Sequence, residues 1–255
     1  MDKNNQSEKK SQRLRERIGL KLPVRVHGRD GVDDEWMEIS RLVDVTPFGA
    51  RLSLKRPTEA GRLLHLTLAM PPKLRCFDHI EDQYRVWSLV RNLKTLEPGA
   101  DALVEIGVAF VGKHPPRSYA GNPFRRYEMA QSNPGSGLWS VQEQSDDLLS
   151  EVLVTDKRKE SRHTIPVDVL IEVFGANGEL SQGERTVTEN ISRRGAEVFT
   201  TLEITPGHFV KVTSEQFAIS RLATVRTRRA GPDGIPRLHL EFVGGEWPLG
   251  GIEEV

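Results

Sequence analysis

The chain has 255 residues, enough for two domains that each bury their own core. Its 36 lysines and arginines are balanced by 36 aspartates and glutamates, which excludes a global field for a polyanion, so any anion site must be local. The one cysteine, Cys76, excludes an internal disulfide framework and cannot by itself make a structural zinc site.

Residues 1–12 are polar and charged and are expected to form a disordered arm. The arm lacks the apolar stretch of a signal peptide, and no run reaches the roughly 20 apolar residues of a membrane helix, so a soluble, cytoplasmic protein is expected. Arg13-Leu14-Arg15-Glu16-Arg17 closes the arm. Leu20, Leu22, Val24 and Val26 then alternate with Lys21, Pro23 and Arg25, the period of a half-buried strand. Gly28–Asp34 reads as a turn. Trp36–Val45 and Ala50–Leu54 read as strands flanking a second turn, Asp44-Val45-Thr46-Pro47-Phe48-Gly49. Leu63–Met70, Tyr84–Leu93 and Ala102–Val111 supply further strands. Short alternating strands with turns between them predict a small antiparallel β-barrel over residues 13–112.

Residues 113–156 are rich in Pro, Gly, Asn and Ser and read as a partly helical connector, with short helices expected over Phe124–Gln131 and Ser140–Leu153. Its Trp139, Leu148, Leu149 and Val152 are apolar enough to pack on a barrel. Strands follow at Ile165–Val173, Arg185–Ile191, Ala196–Phe199, His208–Ser214, Ile219–Arg228 and Arg237–Val243, with a Gly/Asn turn at Gly175–Gly183. They predict a second barrel over 157–246. The tail 247–255, with the Gly-rich, acidic stretch from Gly244 onward, is expected to fray. The fold class is therefore mostly β: two small antiparallel barrels and a connector.

The two halves repeat. Arg13 and Arg17 lie 145 positions before Arg158 and Arg162, while Asp44, Thr46 and Gly49 lie 146 before Asn190, Ser192 and Gly195. Gly61-Arg62-Leu63-Leu64 matches Gly207-His208-Phe209-Val210 at the same 146 offset. Val90-Arg91 then matches Val225-Arg226 at 135, which puts about eleven extra residues into Pro71–Asp82 of the first copy. Phe110-Val111-Gly112 and Phe242-Val243-Gly244 follow in the same order. A duplication with one main insertion accounts for all of these.

The second copy carries Arg158-Lys159-Glu160-Ser161-Arg162 and, about thirty residues on, Asn190-Ile191-Ser192-Arg193-Arg194-Gly195. This order and spacing resembles the two-part signature of PilZ domains, RxxxR followed by (D/N)xSxxG, a family that binds cyclic di-GMP. The resemblance covers roughly 13–112 and 157–244. It implies a ligand site at Arg158, Arg162, Asn190, Ser192 and Gly195. In the first copy it implies a site at Arg13, Arg17, Asp44, Thr46 and Gly49, where Thr46 stands in place of the usual serine and Pro47 stiffens the turn. Lys157 precedes the second RxxxR, where a basic residue in the family accompanies an intercalated ligand dimer; Gln12 precedes the first.

The chemistry suits such a ligand, which presents guanine faces, Hoogsteen edges and phosphates together. Arginine is permanently charged, its planar fork pairs with guanine O6 and N7, and it stacks on aromatic faces. An Asn or Asp can pair with a guanine edge, a hydroxyl can donate or accept beside it, and a glycine allows positive φ or a close backbone approach. An isolated RxxxR is usually solvated surface charge, and the polar turn alone could be a hairpin turn closed by its own side chain. The order and repetition of both favour binding.

Catalysis finds no support, because the seven histidines are scattered without metal-ligand spacing and no nucleophile elbow or phosphate loop is present. Cys76 reads as an inert thiol, and the four tryptophans as core or interface. A metal cofactor is not expected. The expected function is a cyclic di-GMP receptor that signals to a downstream protein partner by changing its interdomain arrangement. The alternative is a ligand-independent interaction adaptor. A nucleic-acid binder is argued against by neutral charge and the lack of an aromatic-basic face.

Overall fold

The structure, a computed structural model, describes residues 19, 21–95, 103–130, 138–144, 162–175, 177–231, 233–243 and 245–249. In the first half β1 (Pro23–Arg29), β2 (Glu35–Thr46), β3 (Gly49–Leu54), β4 (Leu63–Leu68), β5 (Tyr84–Thr95) and β6 (Val104–Gly112) close into a barrel in the order β1-β2-β3-β6-β5-β4, every pairing antiparallel. Alternation drives it. Val24, Val26, Leu52, Leu54, Leu66 and Ile106 point inward and are fully enclosed. Each such side chain removed from water contributes about 1.5–3 kcal/mol.

The second half repeats this. A barrel forms from β9 (Asp168–Phe174), β10 (Leu180–Ile191), β11 (Gly195–Phe199), β12 (Phe209–Ser214), β13 (Ile219–Ala230) and β14 (Pro236–Val243), closed in the same cyclic order. Even the irregularities repeat. A bulge between Leu42 and Asp44 in β2 recurs between Thr188 and Asn190 in β10, and one between Val90 and Asn92 in β5 recurs between Val225 and Thr227 in β13. A bulge re-aims the residues beside it, and here it sets the direction of Asp44 and Asn190. The extra residues of the first copy form the β4–β5 loop. The buried Arg75 ties this loop by donating to the carbonyls of Met70, Asp78, Glu81 and Asp82.

Three expectations need correction. The connector is not partly helical: among its described residues there is one short 3-10 turn, Arg117–Ala120, and the two-stranded sheet β7 (Tyr127–Met129) with β8 (Val141–Glu143). Tyr127 explains this, since it is buried with Leu63, Leu89 and Tyr119 on the outside of the first barrel, and Met129 and Val141 pack beside it. An extended backbone serves that alternation better than a helix. Residues 145–153 of the second expected helix lie outside the described residues. Second, β10 starts at Leu180, inside the expected Gly/Asn turn, because Gln182, Gly183 and Glu184 pair with β9. Third, the segment expected to fray after β14 contains packed residues. Trp247 and Leu249 are buried in the second core, and the Trp247 amide donates to Arg193 O.

The barrels meet through charge. Asp30, Arg56, Glu59 and Arg62 of the first barrel are each at most 4% exposed. Arg56 and Arg62 both pair with Asp30, at 2.7 and 2.9 Å, and reach across to Gly175 O and Gly207 O. Glu59 accepts two bonds from Arg226, at 2.6 and 3.0 Å, and His208 meets Asp34 at 2.8 Å. Gly207 has φ +96°, and a Cβ there would lie 2.3 Å from Asp30 O. Only glycine fits both demands.

Candidate ligand-binding face of the second barrel

An isolated bridge pairs His163 with Ile191, with bonds in both directions between their backbones. It brings the half-buried Arg162 alongside Asn190 and Ser192. Arg162 donates to His239 Nε2 at 2.8 Å. His239 in β14 lies opposite Glu197 in β11, and Glu197 lies opposite Asn190 in β10. Asn190 Nδ2 donates to Glu197 at 3.0 Å, and Arg229 of β13 donates to the same carboxylate at 2.8 Å. Arg162, His239, Glu197 and Asn190 thus form one row across the outside of the barrel. Burial pushes the Glu197 carboxyl up, but the bonds from Arg229 and Asn190 outweigh this and hold it below the ordinary carboxylate value.

Ser192 and Gly195 act within their own turn. The Ser192 hydroxyl donates to Gly195 O and accepts from the amides of Arg194 and Gly195. Gly195 is not in the left-handed region; a Cβ there would stand 2.3 Å from Leu240 O of β14. The glycine is therefore needed for the approach of a neighbouring strand. Arg193 and Arg194 are exposed at the tip of the turn. Lys157 and Arg158 lie outside the described residues.

In the first barrel Thr46 closes its turn in the same way, donating to Gly49 O and accepting from the Phe48 amide. A Cβ on Gly49 would stand at the same 2.3 Å from Val108 O. The charge at the partner position is reversed. Arg51 stands at the place of Glu197, and it holds Asp44 at 2.7 Å and Glu105 at 3.0 Å. Gly107 stands at the place of His239. Arg13 and Arg17 lie outside the described residues. Cys76 is half-buried and its thiol donates to Pro47 O.

Sequence reasoning missed Glu197, His239 and Arg229. Nothing in the local sequence marks them, because their roles come from strand register. Among the described residues there is no group of three or more His, Cys, Asp or Glu able to hold a metal.

Two barrels of identical strand order, each with the same closed polar turn, define the class: a tandem of small antiparallel β-barrels. Residues 156–246 match the family model of the PilZ domain, which takes in the whole second barrel. A search of curated proteins finds no match. Among solved structures, the chain is similar to the Bacillus subtilis inhibitor of motility MotI/DgrA, at 14% identity over 89% of this chain and 90% of that one, with a TM-score of 0.30. It is also similar to Borreliella burgdorferi PlzA in complex with c-di-GMP (11%, 91% and 84%, 0.28) and to Escherichia coli YcgR in complex with c-di-GMP (13%, 88% and 76%, 0.26). These overlaps are too loose to carry an argument about the site.

Proposed function

We propose that the protein is a cyclic di-GMP receptor with its main site on the second barrel, formed by Lys157, Arg158, Arg162, Asn190, Ser192 and Gly195. The observation that carries this reading is the convergence of Arg162 and Asn190 on one outer face of the barrel that matches the PilZ domain. In this reading 1–12 is an arm, 13–112 and 157–246 are the two barrels, 113–156 connects them and 247–255 is a tail whose first residues pack on the second core. The role is binding rather than catalysis, in the cytoplasm. Among the described residues no helix is long and apolar enough to cross a membrane.

Binding is read out between the barrels. Gly195 of the motif pairs with Glu241, Glu241 bonds Arg226 at 2.6 Å, and Arg226 bonds Glu59 of the first barrel. Arg126 of the connector bonds Glu241 as well, at 3.1 Å. A ligand gripped by Lys157, Arg158 and Arg162 shifts the strand pair on which this chain of charges is anchored. The altered arrangement is then offered to a downstream protein.

A second reading applies to the first barrel. Its Asp44 is tied to Arg51 and Glu105, which favours a ligand-independent interaction role for that copy over a second site at Arg13, Arg17, Asp44, Thr46 and Gly49.

Calorimetric titration of cyclic di-GMP into the intact protein and into Arg158→Ala/Arg162→Ala tests the assignment. Saturable heat lost in the variant is expected, while heat that survives moves the site to the first barrel. X-ray scattering with and without ligand tests the readout, and identical profiles at saturation would remove the interdomain change.

A further inference from the structure

Resting on the receptor reading above, we infer that His239 is a positioning residue for the ligand arginine Arg162, a role that the two-part motif does not contain. A guanidinium has donors and no acceptor. The 2.8 Å contact with Arg162 Nη2 therefore requires a lone pair on His239 Nε2, which makes the ring neutral with its proton on Nδ1. The ring is half-buried, and its strand neighbour Glu197 is fixed in turn by Asn190 and Arg229. The acceptor offered to Arg162 is thus mounted on rigid strands.

The contact engages Nη2 and leaves the other guanidinium N–H groups for a guanine edge or a phosphate. Arg162 is thereby held over the row that contains Asn190, and less of its rotamer freedom remains to be lost when ligand arrives. The first barrel lacks this device. At the same register position it has Gly107, and a Cβ there would meet Asn92 Oδ1 at 2.4 Å. The two copies therefore differ in a residue that acts on the arginine, besides the reversed charge of Arg51 and Glu197. This makes the second barrel the better-organised site.

The test uses the full chain and three variants, His239→Ala, His239→Gln and Arg162→Ala, with cyclic di-GMP as probe. His239→Ala is expected to weaken binding about tenfold, the scale of one lost charge-assisted hydrogen bond. His239→Gln, whose side-chain oxygen can accept from Arg162, is expected to recover most of that loss. Equal affinity of His239→Ala and the intact protein would overturn the inference while leaving the receptor reading intact. So would a Gln variant as weak as Ala, since that would mean the ring only fills space.

A ligand-free readout separates the two ideas further. At a pH where the ring is neutral, the 15N resonance of His239 Nε2 is expected to move in Arg162→Ala, and an unmoved resonance would overturn the contact. An intact protein that binds no cyclic di-GMP would sink the receptor reading and, with it, the role given to His239.

Discussion

Gly195 and Gly49 occupy equivalent places 146 positions apart, and in both a β-carbon would collide with a backbone carbonyl at 2.3 Å. A backbone atom cannot swing aside as a side-chain end can, so the strands must separate. Gly195→Ala and Gly49→Ala are each expected to lower stability by about 1–3 kcal/mol, the usual cost of forcing extra volume into a packed position. Urea unfolding of the two variants checks this, and unchanged midpoints would discard the close-approach account. The hydroxyls of Ser192 and Thr46 are similarly committed to their turns. Much of the polar motif is therefore scaffold: in the proposed site Ser192 and Gly195 shape the turn, and direct ligand contact falls to Asn190 and the arginines.

At the level of the strand pair, the two copies join equivalent positions by different chemistry, an ion pair in the first and an amide–carboxylate bond in the second. β2–β3 joins Asp44 to Arg51, and β10–β11 joins Asn190 to Glu197. In the first barrel, Arg51→Glu is expected to destabilise by setting three carboxylates together, and adding Asp44→Asn is expected to recover part of the loss. The recovery should be about 1 kcal/mol, because the Arg51 side chain is still 39% exposed and such pairs are weak in water. A double-mutant cycle by thermal unfolding measures it; strict additivity would mean that the pair does not couple. The connector makes a related point. Leu148, Leu149 and Val152, read as packing residues, lie outside the described residues; Tyr127, Met129 and Val141 do pack, and they take strand form against the wall offered by Leu63, Leu89 and Tyr119.

Across the whole molecule, the barrels are joined by ion pairs sunk between them. Arg226 lies between Glu59 and Glu241, and despite its burial both carboxylates hold it firmly protonated. Arg226→Ala leaves Glu59 buried without that partner and is expected to cost about 3–5 kcal/mol. It should also expand the particle in X-ray scattering, and an unchanged profile would show that other contacts suffice.

The same junction predicts a pH response. Burial raises the Glu241 carboxyl, but the charges of Arg226 and Arg126 win and bring it below its ordinary 4.5. A carboxyl depressed in the folded state stabilises fully above its unfolded pKa and loses that contribution as pH falls through the folded one. Glu241→Gln is therefore expected to be less stable than the parent at neutral pH, with the gap closing as the pH falls below the ordinary 4.5. A gap that is constant with pH would remove the electrostatic explanation.

Periodicity, turn residues and the internal repeat determined the two β-barrels and the insertion at Pro71–Asp82, and the resemblance to the PilZ signature picked out Asn190, Ser192 and Gly195, because these are local patterns written along the chain. Register and packing decided the rest. Glu197, His239 and Arg229 meet Asn190 and Arg162 only because β10, β11, β14 and β13 lie side by side. Asp30, Arg56, Glu59 and Arg62 look like ordinary surface charges until the second barrel covers them. A side chain's neighbours across a sheet or an interface are far away in sequence, and the energy that pairs them appears only when the chain has closed.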